Sequence, residues 1–484
     1  MSSSNKDAIR RITARGGMIS VIAEILRFAI HFVVLAVLAR LLKPEDFGLF
    51  AMAAVVTALA NLFTEFGLST ATIQRRSVSP SLTSGLFYIS VGLSILVAGC
   101  LLMLGPTAAI LFEEPQVATL ISVLAMTLPV VAAGRQHAAL LRREMRWELS
   151  EAIRIGAQLA GSAAAILAAV VWDLGVWCLV LHALFAAAVE MVALWWAMPW
   201  RPGRVSDWKE VKSATIFGVN LAFFSLLNFL HRQGDDAMIG WRWGPLDLGM
   251  YSRAYAIFSA PIQIFRGPLS SVIVPTLSRL QDDDRAWADL YRNTLTAALI
   301  IVTPACFLAI ILSEPIILLL LGDGWEEAIA IFRLLSISLI AQLIMSSTGW
   351  LWISKGQSRE MMIWAMISIP LMLLAMLAGL QYGPRGVAFG YAISFCLLTP
   401  ACSWMAARSL PITFGEILRA AIRPLTAGLL AFALSFMAAS VWTASALFLM
   451  LYTIAIAVVD MNSLKGMVLL ARSTFRGSDT IEER

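Results

Sequence analysis

The chain has 484 residues, 59% of them hydrophobic and only 14% charged, with a mean hydropathy of +0.80. A soluble domain needs a far larger polar share to cover its surface, so a water-soluble fold is excluded. The net charge of +5 comes from basic residues dispersed over short loops, which points to the cytoplasmic loops of a membrane protein and away from a nucleic-acid partner.

The apolar residues gather into runs of about 20, the length of helix that crosses a bilayer core. Taken in chain order they predict an all-α, polytopic membrane protein with fourteen spans. These lie near 17–40, 47–72, 85–105, 117–140, 152–172, 175–198, 213–240, 248–275, 292–321, 328–353, 358–380, 386–408, 418–439 and 441–461. The first run is too long for a signal peptide and carries charge where such a segment is uncharged, so it reads as a retained first span.

Polar residues inside these runs are the candidates for function, because a charge at the bilayer centre costs about 2.5–3.5 kcal/mol on insertion scales. In span 1, Glu24, Arg27 and His31 share one helical face. They form either a self-neutralised Glu24–Arg27 pair or the polar lining of a cavity; the lining is preferred, since an apolar face costs less to bury. Glu65 lies in span 2. Arg135 and His137 in span 4 and Arg333 in span 10 lie near span ends, where snorkelling accounts for them equally well. His182 and Glu190 in span 6 stand two turns apart.

Span 7 carries Arg232, and Asp235–Asp236 at its outer end reads as a solvated cap. Span 8 carries Arg253 and Arg266, with Pro261, Pro268 and Pro275 seven residues apart on one face. Each proline removes a helical hydrogen bond, which suits a gate, although membrane helices also tolerate proline without one. The substrate-cavity candidates are therefore Arg27, His31, Arg232, Arg253, Arg266 and Arg333, and the coupling candidates are Glu24, Glu65, Glu190 and His182. Guanidinium groups converging on one cavity favour an anionic substrate. Asp282–Asp284 reads as a solvated loop. The five cysteines read as packing residues, and neither a metal site nor a cofactor is expected.

The charges test the span count. With a cytoplasmic N-terminus, 26 of the 36 Lys and Arg fall on the inside, and only Arg40, Lys43, Arg242 and Arg385 fall outside. A miscounted span would invert every later loop and erase this asymmetry.

The chain also repeats itself. The turn Pro44-Glu45-Asp46-Phe47-Gly48-Leu49-Phe50 returns as Pro245-Leu246-Asp247-Leu248-Gly249-Met250-Tyr251, 201 residues later and at the equivalent place in the topology. Convergence on common turn chemistry is the alternative to duplication. Six spans per repeat make the halves parallel, an arrangement that recurs in transporters with the substrate site at the repeat interface. The boundaries predicted are 1–212 and 213–410 for two six-helix lobes, with 411–484 an added helix pair and tail. The same offset sets His31 opposite Arg232 and Glu65 opposite Arg266.

The segment Leu38–Leu49, with Glu65-Phe66-Gly67-Leu68-Ser69 and Ile73-Gln74-Arg75, resembles the opening of bacterial polysaccharide-unit flippases. These are Wzx-type members of the multidrug/oligosaccharidyl-lipid/polysaccharide exporter superfamily. Asp235-Asp236, Gly249–Tyr255 and Pro275–Leu280 resemble the second-half counterpart. The likeness covers about residues 15–410 and leaves the last two helices without a matching motif. It implies a V-shaped pair of lobes that alternate between inward- and outward-open states. The implied cargo is an undecaprenyl diphosphate-type, lipid-linked oligosaccharide carried across the inner membrane for exopolysaccharide, capsule or lipopolysaccharide synthesis. Its headgroup would pass through a polar cavity while its tail stays among the membrane lipids. Polysaccharide polymerase machinery is the further partner implied.

Two other classes stay open. A cation-coupled drug or small-molecule antiporter of the same fold would use Glu24, Glu65 or Glu190. A membrane polysaccharide polymerase or glycosyltransferase would want larger outside loops than this chain has, and no phosphate-cradling ATPase motif is present.

Overall fold

The computed structural model describes residues 3–65, 69, 72–73 and 78–459, with side chains from Ile22 onward apart from positions within 209–228 and 264–268 and at Val459. Its elements are helices throughout the described residues. They are α1 (Ser3–Leu41), α2 (Pro44–Glu65), α3 (Pro80–Phe112), α4 (Pro115–Ala125), α5 (Thr127–Arg143), α6 (Trp147–Trp172), α7 (Trp177–Ala197) and α8 (Trp208–Arg279). Then follow α9 (Asp284–Ile311), α10 (Ser313–Leu321), α11 (Glu326–Ser336), α12 (Leu339–Ser354), α13 (Ser358–Gly379), α14 (Gly383–Ser409), α15 (Phe414–Ser435) and α16 (Val441–Val459). By length and composition, 10 of the described helical stretches can cross a membrane, or 11 if α11 and α12, bent by 46° at their junction, make one span. The chain is an all-α polytopic membrane protein.

Local chemistry sets the helix ends. Ser79 caps α3 by accepting a hydrogen bond from the Leu82 amide at 3.0 Å, with Pro80 in the first turn where its missing N–H costs nothing. Thr413 and Glu416 form a reciprocal capping box on α15. In α8 the continuous helix is broken at Gly244, whose φ of 83° and ψ of −174° are open to glycine alone, immediately before Pro245. The helix then runs on through Pro261, Pro268 and Pro275, so its one non-helical residue lies well before the proline face.

The chain packs as two compact units, one made of residues up to Arg253 with Leu318–Trp325, the other of Ala254–Ile317 with Glu326 onward. Within the first, α6 and α7 approach closely at Gly161, where an added Cβ would lie 2.7 Å from the His182 carbonyl oxygen and 2.8 Å from Ala186 Cβ. Small residues permit such approaches where lipid supplies no hydrophobic drive between helices. His137, read as a snorkelling candidate, is fully buried. It stacks on Trp195 at 4.7 Å between centroids and contacts the Trp200 carbonyl at 3.2 Å.

In the second unit, two buried aromatic side chains find polar partners across helices. Trp287 donates to Ser354 at 3.1 Å, and Tyr291 pairs with Ser347 at 2.8 Å. The last two helices dock on α9. Phe307 packs against Phe432 at 4.9 Å between centroids, and the Tyr452 hydroxyl donates to the Ile300 carbonyl at 3.0 Å. All five cysteines are free.

Replacing Gly161 by leucine is expected to lower thermal stability in detergent by the cost of overpacking, about 1–3 kcal/mol, with alanine costing less. Melting followed by size-exclusion chromatography checks this; a leucine variant as stable as the parent would show that α6 and α7 do not meet there.

Candidate functional site

The first unit holds two clusters of ionisable groups. The first is built by α1, α6 and α7. Arg27 and Glu24, one turn apart on α1, form an ion pair, and the same guanidinium lies 3.9 Å from Glu151 on α6. Glu151 is also paired with Arg154 at 3.4 Å. Gln158 donates to the Arg27 carbonyl at 3.2 Å, and Arg142 and Glu190 lie within electrostatic reach of Arg27. Arg27 and Glu151 are largely buried, with 17% and 10% of their side chains exposed, whereas Glu24 is 42% exposed. The Arg27 Nε is buried without a hydrogen-bond partner among the described residues. Such a donor is costly to leave unmet.

The second cluster joins α1, α2, α7 and α8. Asp235 is 2% exposed, the most buried carboxylate among the described residues. It accepts from the Tyr251 hydroxyl at 2.7 Å and from the Asp236 amide at 3.0 Å. Arg253 lies within electrostatic reach of Asp236 and sits over the Phe47 ring at 5.0 Å. Asp236 Oδ1 and Arg253 Nε are both buried without hydrogen-bond partners. His31 is exposed on α1 and within electrostatic reach of both Arg253 and His182. The solvated cap expected at Asp235–Asp236 is therefore corrected, because burial against Tyr251 replaces solvent. Two carboxyls beside one guanidinium balance only when a proton or another cation joins them.

The remaining candidates are dispersed. Glu65 is exposed, accepts from Ser69 at 3.3 Å and lies near Arg135, which donates to Thr64 at 2.9 Å. Arg232 is exposed on α8. Arg333, in the second unit, is exposed and donates through Nε to Ser313 at 3.0 Å. Pro261 lines an apolar cavity of about 110 Å³ with Phe258, Phe332 and Trp350, and both Pro261 and Pro275 are exposed. The side chains of Arg266 and Pro268 lie outside the described residues.

Sequence reading missed Glu151 and Tyr251. Glu151 falls one residue before the expected start of span 5, whereas α6 already begins at Trp147. Its spacing of three from Arg154, a helical ion-pair spacing, is the available signal. Tyr251 belongs to the repeated turn, and nothing in the sequence says that it reaches back to Asp235.

A family model described as "Polysaccharide biosynthesis protein" matches residues 37–330, and one described as "Lipid II flippase MurJ" matches residues 248–460. The lipopolysaccharide biosynthesis protein WzxC of Escherichia coli (strain K12) is 24% identical over 388 residues, covering 80% of this chain and 79% of that protein. The succinoglycan biosynthesis transport protein ExoT of Rhizobium meliloti (strain 1021) is 24% identical over 319 residues, covering 66% of this chain and 64% of that protein. Among solved structures, the lipid II flippase MurJ in its inward closed conformation matches with a TM-score of 0.74 at 12% identity. That match covers 92% of this chain and 98% of that one, and it shows the shared fold.

Glu151 holds the first cluster together, since it alone faces both Arg27 and Arg154. Glu151→Gln takes the carboxylate from Arg154 and leaves Arg27 with Glu24 alone, and is expected to cost about 3 kcal/mol of stability. Glu24→Gln, at a far more exposed site, costs much less. Thermal melting of the two variants in detergent checks the ranking, and a reversed order would refute this charge assignment.

Proposed function

The chain belongs to the polysaccharide biosynthesis protein family, and from that premise we propose that it is a flippase for a lipid diphosphate-linked oligosaccharide. It works by alternating access in the inner membrane of a bacterium, with both termini cytoplasmic. Fourteen spans require that each half of α8, each of α13 and α14, and the α11–α12 pair be taken as a span, beyond the ten or eleven that length and composition give. Two parallel lobes, 1–212 and 213–410, then carry the transport cycle, and 411–484 is an addition to them. WzxC and ExoT are by name proteins of lipopolysaccharide synthesis and succinoglycan transport, which supports a polysaccharide cargo and a transporter over an enzyme.

The observation that carries the reading is Arg27. A diphosphate offers acceptors for two parallel N–H bonds, and Arg27 keeps a buried Nε free of any hydrogen bond while its neighbours hold the charge near balance. His31, one turn further along α1, extends the polar face, and Arg232, Arg253, Arg266 and Arg333 are the further cations the headgroup would meet in passage. The lipid tail needs no polar route and stays in the bilayer.

The Asp235–Asp236 pair supports cation or proton coupling within the same transporter, alongside Glu24, Glu65, Glu190 and His182. A carboxyl pair facing one guanidinium can load and release a single positive charge per cycle.

Deletion of the gene is expected to accumulate a lipid-linked repeat unit on the cytoplasmic leaflet; single units found on the outer leaflet would indicate a polymerase instead. Arg27→Ala and Arg266→Ala are expected to abolish polymer export while the protein stays in the membrane, and near-normal export by both would remove the cationic cavity. For coupling, Asp235→Asn in sealed vesicles is expected to lose the response of transport to an imposed pH or sodium gradient. A response equal to the parent's would exclude the pair.

A further inference from the structure

The two copies of the repeated turn touch each other. Both belong to the first compact unit, so their contact is part of a single packed body. A Cβ added to Gly48 would fall on the Pro245 carbonyl, and one added to Gly249 would fall on the Pro44 carbonyl, while also lying 3.2 Å from the Gly48 amide nitrogen. Each copy's glycine therefore receives the other copy's proline carbonyl, backbone against backbone. No other residue fits either place, since Cβ is what glycine lacks.

The exchange extends beyond the turns. Ala39 and Gly240 are related by the same offset of 201 residues. Trp325, from the connection between α10 and α11, donates its indole N–H to the Ala39 carbonyl at 3.3 Å and sets its ring against Phe47 at 5.6 Å between centroids. Phe112, at the end of α3, lies 3.2 Å from where a Cβ on Gly240 would sit, beside Met52 and Leu248. Thus the connection after the third span of each half packs on the first span of the other half. Arg40 adds one bond without a counterpart, donating to the Leu319 carbonyl at 2.6 Å. Phe47, Met52, Leu248 and Trp325 are each no more than 1% exposed.

We propose that the duplicated turns form a reciprocal latch at the outer face of the membrane, closed in this structure, and that Gly48 and Gly249 are the residues that let it close. The latch rests on the transport reading, because only a chain that must release cargo outward needs this contact to part. Its bonds suit reversal. The Ala39 and Leu319 carbonyls lie in the last turns of α1 and α10, where the helix leaves carbonyls without partners and water can replace the lost donors. The glycine contacts use no directional side-chain bond, so opening leaves no buried group unpaired there.

The test uses Leu248→Cys as reporter in the full-length protein in spheroplasts, with a membrane-impermeant maleimide outside and the parent chain setting the background. With both glycines present, the thiol is expected to label slowly. Gly48→Ala or Gly249→Ala, by propping the latch apart, is expected to raise the labelling rate about tenfold through a shift toward the open form. Arg40→Ala, which removes a bond and adds nothing, raises it less. If a glycine variant fails to fold, as judged by melting in detergent, Arg40→Ala and Trp325→Phe decide the matter, since both weaken the latch without crowding it. Labelling unchanged in folded glycine variants, or in both weaker ones, overturns the proposal, as does labelling only from the cytoplasmic side. The rate needs no cargo, so it can fail while the lipid-linked sugar still accumulates on gene deletion, and the reverse.

Discussion

An ionised side chain at hydrocarbon depth must find its counter-charge or water inside the protein, and much of this structure follows from that requirement. Glu24, Glu151 and Arg154 surround Arg27 closely enough that the set is near neutral, with two of its four members on α1 and two on α6. Hydrocarbon also offers no drive to bring helices together, so the close approach at Gly161 and the cross-helix bonds of Trp287 and Tyr291 replace it. His137 is held by packing: its ring stacks on Trp195 and its Nε2 meets the Trp200 carbonyl.

The repeated turn gives this chain a second source of order: Gly48 of one copy meets the Pro245 carbonyl of the other, and Gly249 meets the Pro44 carbonyl. The repeated proline and glycine satisfy both local and long-range demands. Proline opens the helix where its missing N–H is harmless, and glycine four residues on admits the partner's carbonyl. α15 and α16 stand outside this pattern. They bind α9 through aromatic packing, so they are fixed to the second unit without entering the repeat.

The sequence disclosed what depends on local or periodic signals. Hydropathy marked the chain as polytopic, proline and serine marked helix starts such as that of α3, and the repeated turn singled out two segments that do meet. Long-range burial left no such trace. Asp235 looks like a helix-end cap until Tyr251, sixteen residues on and past the break at Gly244, is seen to close over it. Glu151 was hidden by a span boundary set five residues too late. The prolines of α8 suggested bending, yet the break falls at Gly244, because a glycine with positive φ followed by proline interrupts a helix more completely than proline inside one.

The neutralised cluster around Arg27 also bears on how the proposed transporter for a charged lipid would turn over. A bare guanidinium in a dry cavity would hold a diphosphate too strongly to release it, and an empty one would be too costly to keep. In the proposed cycle Arg27 would avoid both extremes by sharing Glu151 with Arg154, so that an arriving phosphate exchanges one set of acceptors for another. Binding energy then depends on the difference between carboxylate and phosphate, a quantity that a small movement of α1 against α6 can reverse in sign. A ligand shifts a conformational equilibrium only by its differential affinity for the two states. For the proposed cargo, a site whose counter-charges come from a separate helix supplies that difference directly.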